Sequence, residues 1–245
     1  MNIEHPGLAH RKGLRQLWQE AFGDTEAFLD TFFSTAFAPD RCLCITEEET
    51  VVAAAYWLPC GGYAYIYAVA TAQSHRGQGL CHRLMAQIHQ TLVQQGYVGA
   101  VLVPGDAGLR KFYAGMGYAD FGGVEEFSCT AGEAVAIRAV DGEEFSRLRL
   151  QYLPEGGLVQ DGVGVEFLSC WAQFYAGDDF LLTAVADENS LRGIELLGNR
   201  HAAAGILGAL GIPEGRFQIP GHNPFGMCKV LVGKNYPTYL GFAFD

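Results

Sequence analysis

Apolar residues recur along the chain with two alternating periods, and the switches between them mark out its elements. Within residues 8–22, Leu14, Leu17, Trp18, Ala21 and Phe22 fall at helical spacing and Gly23 stops the run, which predicts a first helix. Asp24 or Thr25 can cap a second helix, whose Phe28, Phe32 and Phe33 share a face before Pro39 ends it. Three β-type runs follow, Cys42 to Thr46, Val51 to Leu58 and Ala64 to Ala70, separated by Glu47-Glu48-Glu49 and Cys60-Gly61-Gly62. They predict an antiparallel meander. From Gly79 to Gln95 the helical period returns, with Leu80, Leu84, Ile88 and Leu92 in one stripe and Gly96 as its stop. Val98 to Val103 is continuously apolar, as a buried strand would be, and Pro104-Gly105 turns it into a short helix from Asp106 to Gly115. Gly117 then leads into a strand near Tyr118.

The second half repeats this outline without evident identity. Residues 141–153 and 161–175 read as helices, the latter because Phe167, Trp171 and Phe174 share a face. Residues 179–187 and 190–197 read as strands, and 199–211 as an Ala-rich helix ended by Gly211. A strand from Arg216 to Ile219 ends in Pro220-Gly221, just as Val98 to Val103 ends in Pro104-Gly105. The expectation is an α/β protein with a mixed sheet in each of two similar units, residues 1–130 and 131–245, with no flexible linker.

Composition narrows the functional classes. Of 245 residues 49% are apolar and 18% charged, ample material for buried cores, which excludes disorder as the main state. Sixteen Lys and Arg stand against 27 Asp and Glu, a net charge of -11 that repels nucleic-acid backbones and anionic membrane surfaces and favours cationic ligands. Seven scattered cysteines read as reduced, mostly buried thiols rather than a disulfide framework. Residues 1–30 show no apolar signal-peptide core, so a cytoplasmic home is expected. The uncharged stretch Thr50 to Ser74 is broken by Pro59, Gly61 and Gly62 and predicts two strands instead of a membrane span.

The chemistry concentrates in the stretch from Val69 to Leu80, which runs from a strand end directly into a helix. Arg76-Gly77-Gln78-Gly79 at a helix N-terminus offers unpaired N–H groups, the positive end of the dipole and no Cβ at the glycines, which suits a pyrophosphate or merely a tight turn. Between Thr71 and Tyr118 the charged residues are Arg76, Arg83, Arg110 and Lys111 against Asp106, a local net of +3 in an acidic chain. Such an island suits an anionic cofactor.

These residues resemble the GCN5-related N-acetyltransferase family, whose Arg/Gln-x-x-Gly-x-Gly/Ala hallmark is met by Arg76 to Cys81, with Cys81 in place of the last small residue. A second family motif is met by Phe112-Tyr113-Ala114-Gly115-Met116-Gly117-Tyr118. The resemblance covers roughly residues 1–130, and Phe22-Gly23-Asp24 before the Phe-rich helix is similar to a subgroup with two such units in tandem, the second often degenerate. It implies the acyl-CoA N-acyltransferase fold, acetyl-CoA as co-substrate, no metal, and direct attack by the amine of a small molecule or peptide in a ternary complex. By the same resemblance Val69, Ala70 and Thr71 would hold the acetyl carbonyl and pantetheine arm, and Arg76, Gly77, Gln78, Gly79, Leu80 and Cys81 the pyrophosphate, with Phe112 beside the cofactor. Tyr113 would protonate the leaving thiolate, uphill by roughly 2 kcal/mol on reference acidities of about 10 and 8.5. The second unit carries Gly198-Asn199-Arg200-His201 where a phosphate loop would fall, so no cofactor is expected there; that unit would complete or cover the acceptor site.

The general base stays open. Tyr65 and Tyr67 share a strand face with Val69 if side chains alternate, and they either line the acceptor pocket or pack in the core. Asp24, Glu26, Glu125 and Glu126 could approach the cleft or be ordinary caps and solvated charges. His82 and His89, with no third ligand nearby, are expected at the surface, and Cys42-x-Cys44 reads as two core thiols. A non-catalytic acyl-CoA sensor and a purely structural tandem are the rival readings.

Overall fold

The structure, a computed structural model, describes residues 1–244; Asp245 lies outside the described residues. The chain forms two compact units, Met1–Ala119 with Cys228–Asn235, and Asp120–Met227 with Tyr236–Asp245.

In the first unit, β1 (Asn2–Glu4) is followed by a single 3-10 turn, α1 (Arg11–Phe22) and α2 (Glu26–Thr35). Gly23, at φ 73°, ends α1 in the left-handed region, and Thr25 caps α2 by accepting from Phe28 N. The meander β2 (Cys42–Glu47), β3 (Thr50–Cys60) and β4 (Tyr63–Thr71) leads through a loop to α3 (Leu80–Gln94), β5 (Gly99–Leu102) and α4 (Ala107–Ala114). Sheet order is β1-β2-β3-β4-β5, antiparallel except for the parallel pair β4 and β5. Burial explains why these elements hold. Leu14, Leu17 and Trp18 of α1 and Leu29, Phe32 and Phe33 of α2 are all buried. The Trp18 ring lies 4.6 Å from Phe32, 5.1 Å from Tyr56 and 5.6 Å from Tyr67, a packed aromatic cluster over β3 and β4. On α3 the predicted stripe of Leu80, Leu84, Ile88 and Leu92 is buried throughout.

The second unit begins with β6 (Ala119–Thr130), followed by β7 (Arg138–Val140), α5 (Gly142–Tyr152), α6 (Val163–Ser169), β8 (Gln173–Ala176), β9 (Phe180–Ala186) and β10 (Ser190–Gly198). After β10 come α7 (Ala203–Leu210), β11 (Glu214–Pro220) and β12 (Asn223–Val230). Its order is β6-β11-β10-β9-β8-β7, with β10 and β11 parallel. From β7 to β11 this repeats, element for element, the path from β1 to β5: strand, two helices, three antiparallel strands, helix, parallel strand.

Three expectations are corrected. The units meet in sequence at Asp120 rather than near 130, because β6 gives residues 124–130 to a ladder with β11, and residues 228–235 return to the first unit. The helix read over 161–175 stops at Ser169, and Phe174 instead sits on β8, stacked on Phe145 at 4.1 Å between centroids. The helix read over 199–211 shortens to α7 after a 3-10 turn. None of the seven cysteines is in a disulfide, and Cys42, Cys44, Cys60 and Cys228 are buried. No helix among the described residues is long and apolar enough to cross a membrane.

Candidate active site

β4 pairs with β5 only from Tyr63 to Tyr65, yet it continues to Thr71. The two parallel strands therefore part after Tyr65, and the edge of β4 that faced β5 is left open along residues 66–71. A β-bulge falls in the same stretch: Tyr56 pairs with Tyr67 and Ala54 with Ala70, so β4 spends one residue more than β3, and Ala68 sits at φ 48°. The extra residue reverses the alternation beyond it. Ala70, not Val69, thus follows Tyr67 on the face that meets α1 and α2, which corrects the face expected for Val69. Tyr65 and Tyr67 themselves are buried, Tyr67 against Trp18 and Phe32, so both belong to the aromatic cluster.

The loop after β4 is fastened on both sides. Glu20 accepts from Gln73 N at 2.6 Å, His75 bridges Glu47 at 3.0 Å, and exposed Arg76 donates through Nε to Thr71 O at 3.2 Å. Gly77 and Gly79 both sit at φ 74°, and a Cβ built on either meets nothing within 4 Å. The glycines are there for backbone conformation and leave open space beside the chain. Gly79 is the N-cap of α3, and no side chain caps that helix, so the first amides, including those of Leu80 and Cys81, keep the donors an anion would use. Arg76 and Arg83 are exposed near this end and supply the positive charge.

Tyr113 comes from α4, which Asp106 caps by accepting from Leu109 N at 2.8 Å. It is buried, and burial together with the Cys81 thiol pushes its phenol well above the usual range. Cys81 on α3 is itself pushed up to about 11 by burial. The fold therefore brings Tyr113 and Cys81, at the start of α3, into one low-dielectric neighbourhood. Phe112, half-buried, packs against both the Tyr113 ring at 5.5 Å and the His82 ring at 4.9 Å.

Three of the four candidate carboxylates, Asp24, Glu26 and Glu126, hold side-chain partners. Asp24 accepts from Trp18 Nε1 at 2.7 Å while Thr25, not Asp24, caps α2. Glu26 is paired with Arg15 and Gln19. Glu125 and Glu126 lie on β6 in the second unit, where Glu126 pairs with Arg216.

His89 corrects a second expectation. It is buried on α3, with Nε2 2.9 Å from Tyr118 Oη, and burial plus the Lys229 charge lower it from 6.5 to about 4. Because the unfolded chain binds this proton more readily, the folded state loses stability as pH falls from about 6.5 towards 4, by up to roughly 3 kcal/mol. Urea midpoints at neutral and mildly acidic pH check this: the native protein should lose more stability on acidification than His89→Gln.

In the second unit the corresponding turn is built differently. Asn199 fills the start of the 3-10 turn by accepting from His201 N at 2.9 Å, and the Arg200 guanidinium lies 4.9 Å over the Phe127 ring. The cleft beside it is lined by Asp178, Asp179, Asn199 and His201, the wrong charge for a pyrophosphate. Between β11 and β12 no helix matches α4, so nothing in that repeat stands for Tyr113.

The pattern has known counterparts. Residues 8–120 match the family model of the acetyltransferase (GNAT) domain. A GCN5-related N-acetyltransferase structure from Kribbella flavida superposes with a TM-score of 0.73 at 18% identity, covering 94% of this chain and 70% of its own. One from Anabaena variabilis gives 0.70 at 16% identity, over 94% and 72%. A third, from Sphaerobacter thermophilus, gives 0.58 at 12% identity over 97% and 98%. No curated protein matches the chain. The structural likenesses, at these identities, speak for the fold alone, whereas the family model rests on the sequence that builds the phosphate loop and α4. Residues 8–120 are therefore an acetyltransferase (GNAT) domain, and that assignment is made for this part of the chain.

Proposed function

We propose that the first unit binds acetyl-CoA along the open edge of β4 and the start of α3, and transfers its acetyl group to a primary amine of a small molecule or peptide. One juxtaposition carries this reading: an uncapped helix start with two left-handed glycines, in the same unit as a parted strand pair and a buried tyrosine beside Cys81. Bound acetyl-CoA supplies a thioester that a neutral amine attacks directly, without an acyl-enzyme. The chain's own part is to hold and orient it. Backbone amides of Val69, Ala70 and Thr71 are the proposed donors to the acetyl carbonyl and pantetheine arm, and those of Arg76 to Cys81 the donors to pyrophosphate.

Tyr113 holds a proton at its phenol oxygen for the departing sulfur. Burial raises that phenol, which by itself makes it a poorer acid than the reference value suggests. Cys81, however, gauges what the same surroundings do to a thiol: its acidity is weakened from 9.0 to about 11. A departing thiolate held in the same surroundings would shift the same way, which offsets the phenol's loss of acidity. No carboxylate proposed as base in the first unit is uncommitted, since Asp24 and Glu26 already hold partners, and the amine's proton is assigned to water. The second unit, with Asn199 in its turn and no counterpart of α4, is the copy without acetyl-transfer apparatus.

Calorimetric titration of acetyl-CoA tests the reading. Saturable binding is expected, weakened about 5- to 30-fold in Gly77→Ala, because a Cβ at φ 74° strains the loop without touching anything. Absence of heat would overturn it, and binding without turnover of any amine would favour the sensor.

A further inference from the structure

Residues 228–235 belong to the first unit although they lie beyond the whole second repeat. They are fixed there by the backbone: Leu231 N and Val232 N both donate to Val98 O, at 2.8 and 3.0 Å, and Asn235 O accepts from Tyr63 Oη at 2.7 Å. The approach beside β5 is close. A Cβ at Gly99 would stand 2.5 Å from the Tyr63 ring and 3.0 Å from Lys229 O, so a larger residue would press on both.

This segment carries Lys229, half-buried, whose Nζ donates to Met116 O at 2.6 Å across 113 residues of sequence. Met116 is part of the turn that closes α4 behind Tyr113. Both Met116 N and Tyr118 N donate to Tyr113 O, at 2.9 and 3.1 Å, so displacing the turn displaces the end of the helix that bears the phenol. A second line of contact converges on the same ring. Tyr118 packs edge-on against Tyr113 with 5.8 Å between centroids, and its hydroxyl is held by His89 at 2.9 Å. The charged group acting on His89 is again Lys229, which favours the neutral imidazole that pairs with Tyr118.

We propose that Lys229 is a positioning residue for Tyr113, acting through the Met116 carbonyl, and that residues 228–235 are a working part of the acetyl-transfer unit. The inference rests on the acetyl-transfer reading above and adds to it the means by which the acid is set. Tyr113 alone among these groups meets the reacting atoms; Lys229 acts on the turn and on the His89–Tyr118 pair. An ammonium donor to a carbonyl is stronger than a neutral one. A residue drawn from the far end of the chain thus decides where a phenol on α4 stands, and displacement by about an ångström is enough to cost a large factor in rate.

The test compares Lys229→Met, which keeps the stem and removes the donor, with Lys229→Arg, which restores one, in the full-length protein. Expected for Lys229→Met is a fall in kcat of roughly ten- to hundred-fold, with the acetyl-CoA Kd from calorimetry unchanged. Lys229→Arg should recover most of the rate. In a Tyr113→Phe background the same Lys229→Met change should cost little more, because both act through one group. If Lys229→Met fails to fold, Lys229→Gln, a neutral and shorter donor, is read in the same way. Unchanged kcat, or an equal loss in the Tyr113→Phe background, overturns the positioning role while leaving acetyl transfer standing. A wild-type protein that turns over no amine overturns both.

Discussion

Replacing Tyr113 by phenylalanine is expected to lower kcat by about 10²- to 10³-fold while acetyl-CoA binding stays within a small factor of wild type. The ring packs against Phe112 and Tyr118 and phenylalanine keeps those contacts, so the change removes one proton and little else. The pH profile gives the sign. Burial and Cys81 hold the phenol protonated well above the ordinary range, so the wild-type rate should rise with pH as the amine loses its proton and stay high beyond pH 10. In Tyr113→Phe the same rise should persist at a uniformly lower level, because the phenol does not titrate within this range. Steady-state rates with a turned-over amine across that range, beside calorimetric Kd values, check both points. A variant that keeps wild-type kcat would transfer the acid role to water.

How much of this was legible in the sequence depends on whether the cause was local. Leu80, Leu84, Ile88 and Leu92 announced α3 because a helix needs only its own period, and each proved buried. The glycine turn before α3 was legible for a similar reason, since two glycines in the left-handed region leave a mark at the positions that need them. The bulge at Ala68 left none. Alanine carries no signature of positive φ, and the extra residue shows only once β3 and β4 are paired. His89 lies seven positions from His82 on one helix, and that spacing alone does not say which side meets the core. Its place beside Met85, Ile88 and Leu92 on the buried side, and its partner Tyr118 on the far side of β5 and α4, depend on tertiary packing. The return of residues 228–235 to the first unit is a pairing across most of the chain, which no window of sequence contains. Phe174 shows the converse hazard: its spacing from Phe167 and Trp171 fits a helix, yet the helix ends at Ser169 and Phe174 packs from a strand.

The largest stability effect is expected from Glu195→Ala in the second unit. Glu195 and Arg149 are 1% and 2% exposed and meet in a two-point contact, Nε to Oε2 at 2.7 Å and Nη2 to Oε1 at 2.8 Å. Nη1 also donates to Leu158 O at 3.0 Å, and Nη2 lies within hydrogen-bond distance of Leu240 O at 3.2 Å and Gln160 Oε1 at 3.3 Å. Removing the carboxylate leaves that charge buried with carbonyls alone, at a cost of about 3–5 kcal/mol. Deleting both ends, as in Arg149→Met with Glu195→Leu, should be milder than Glu195→Ala, because no unpaired charge remains. Yet this arginine also holds the C-terminal stretch: it bonds Leu240 O directly, and Gln160 Nε2 donates to Phe242 O at 3.0 Å. Gly241, at φ 101°, passes so close that an added Cβ would lie 2.1 Å from Glu195 Oε1. The double variant should therefore regain stability but not the hold on residues 236–244. Urea unfolding measures the first, and protease cleavage near Tyr236 under native conditions measures the second. A double variant as unstable as Glu195→Ala would mean that packing around the pair, rather than the stranded charge, sets the cost.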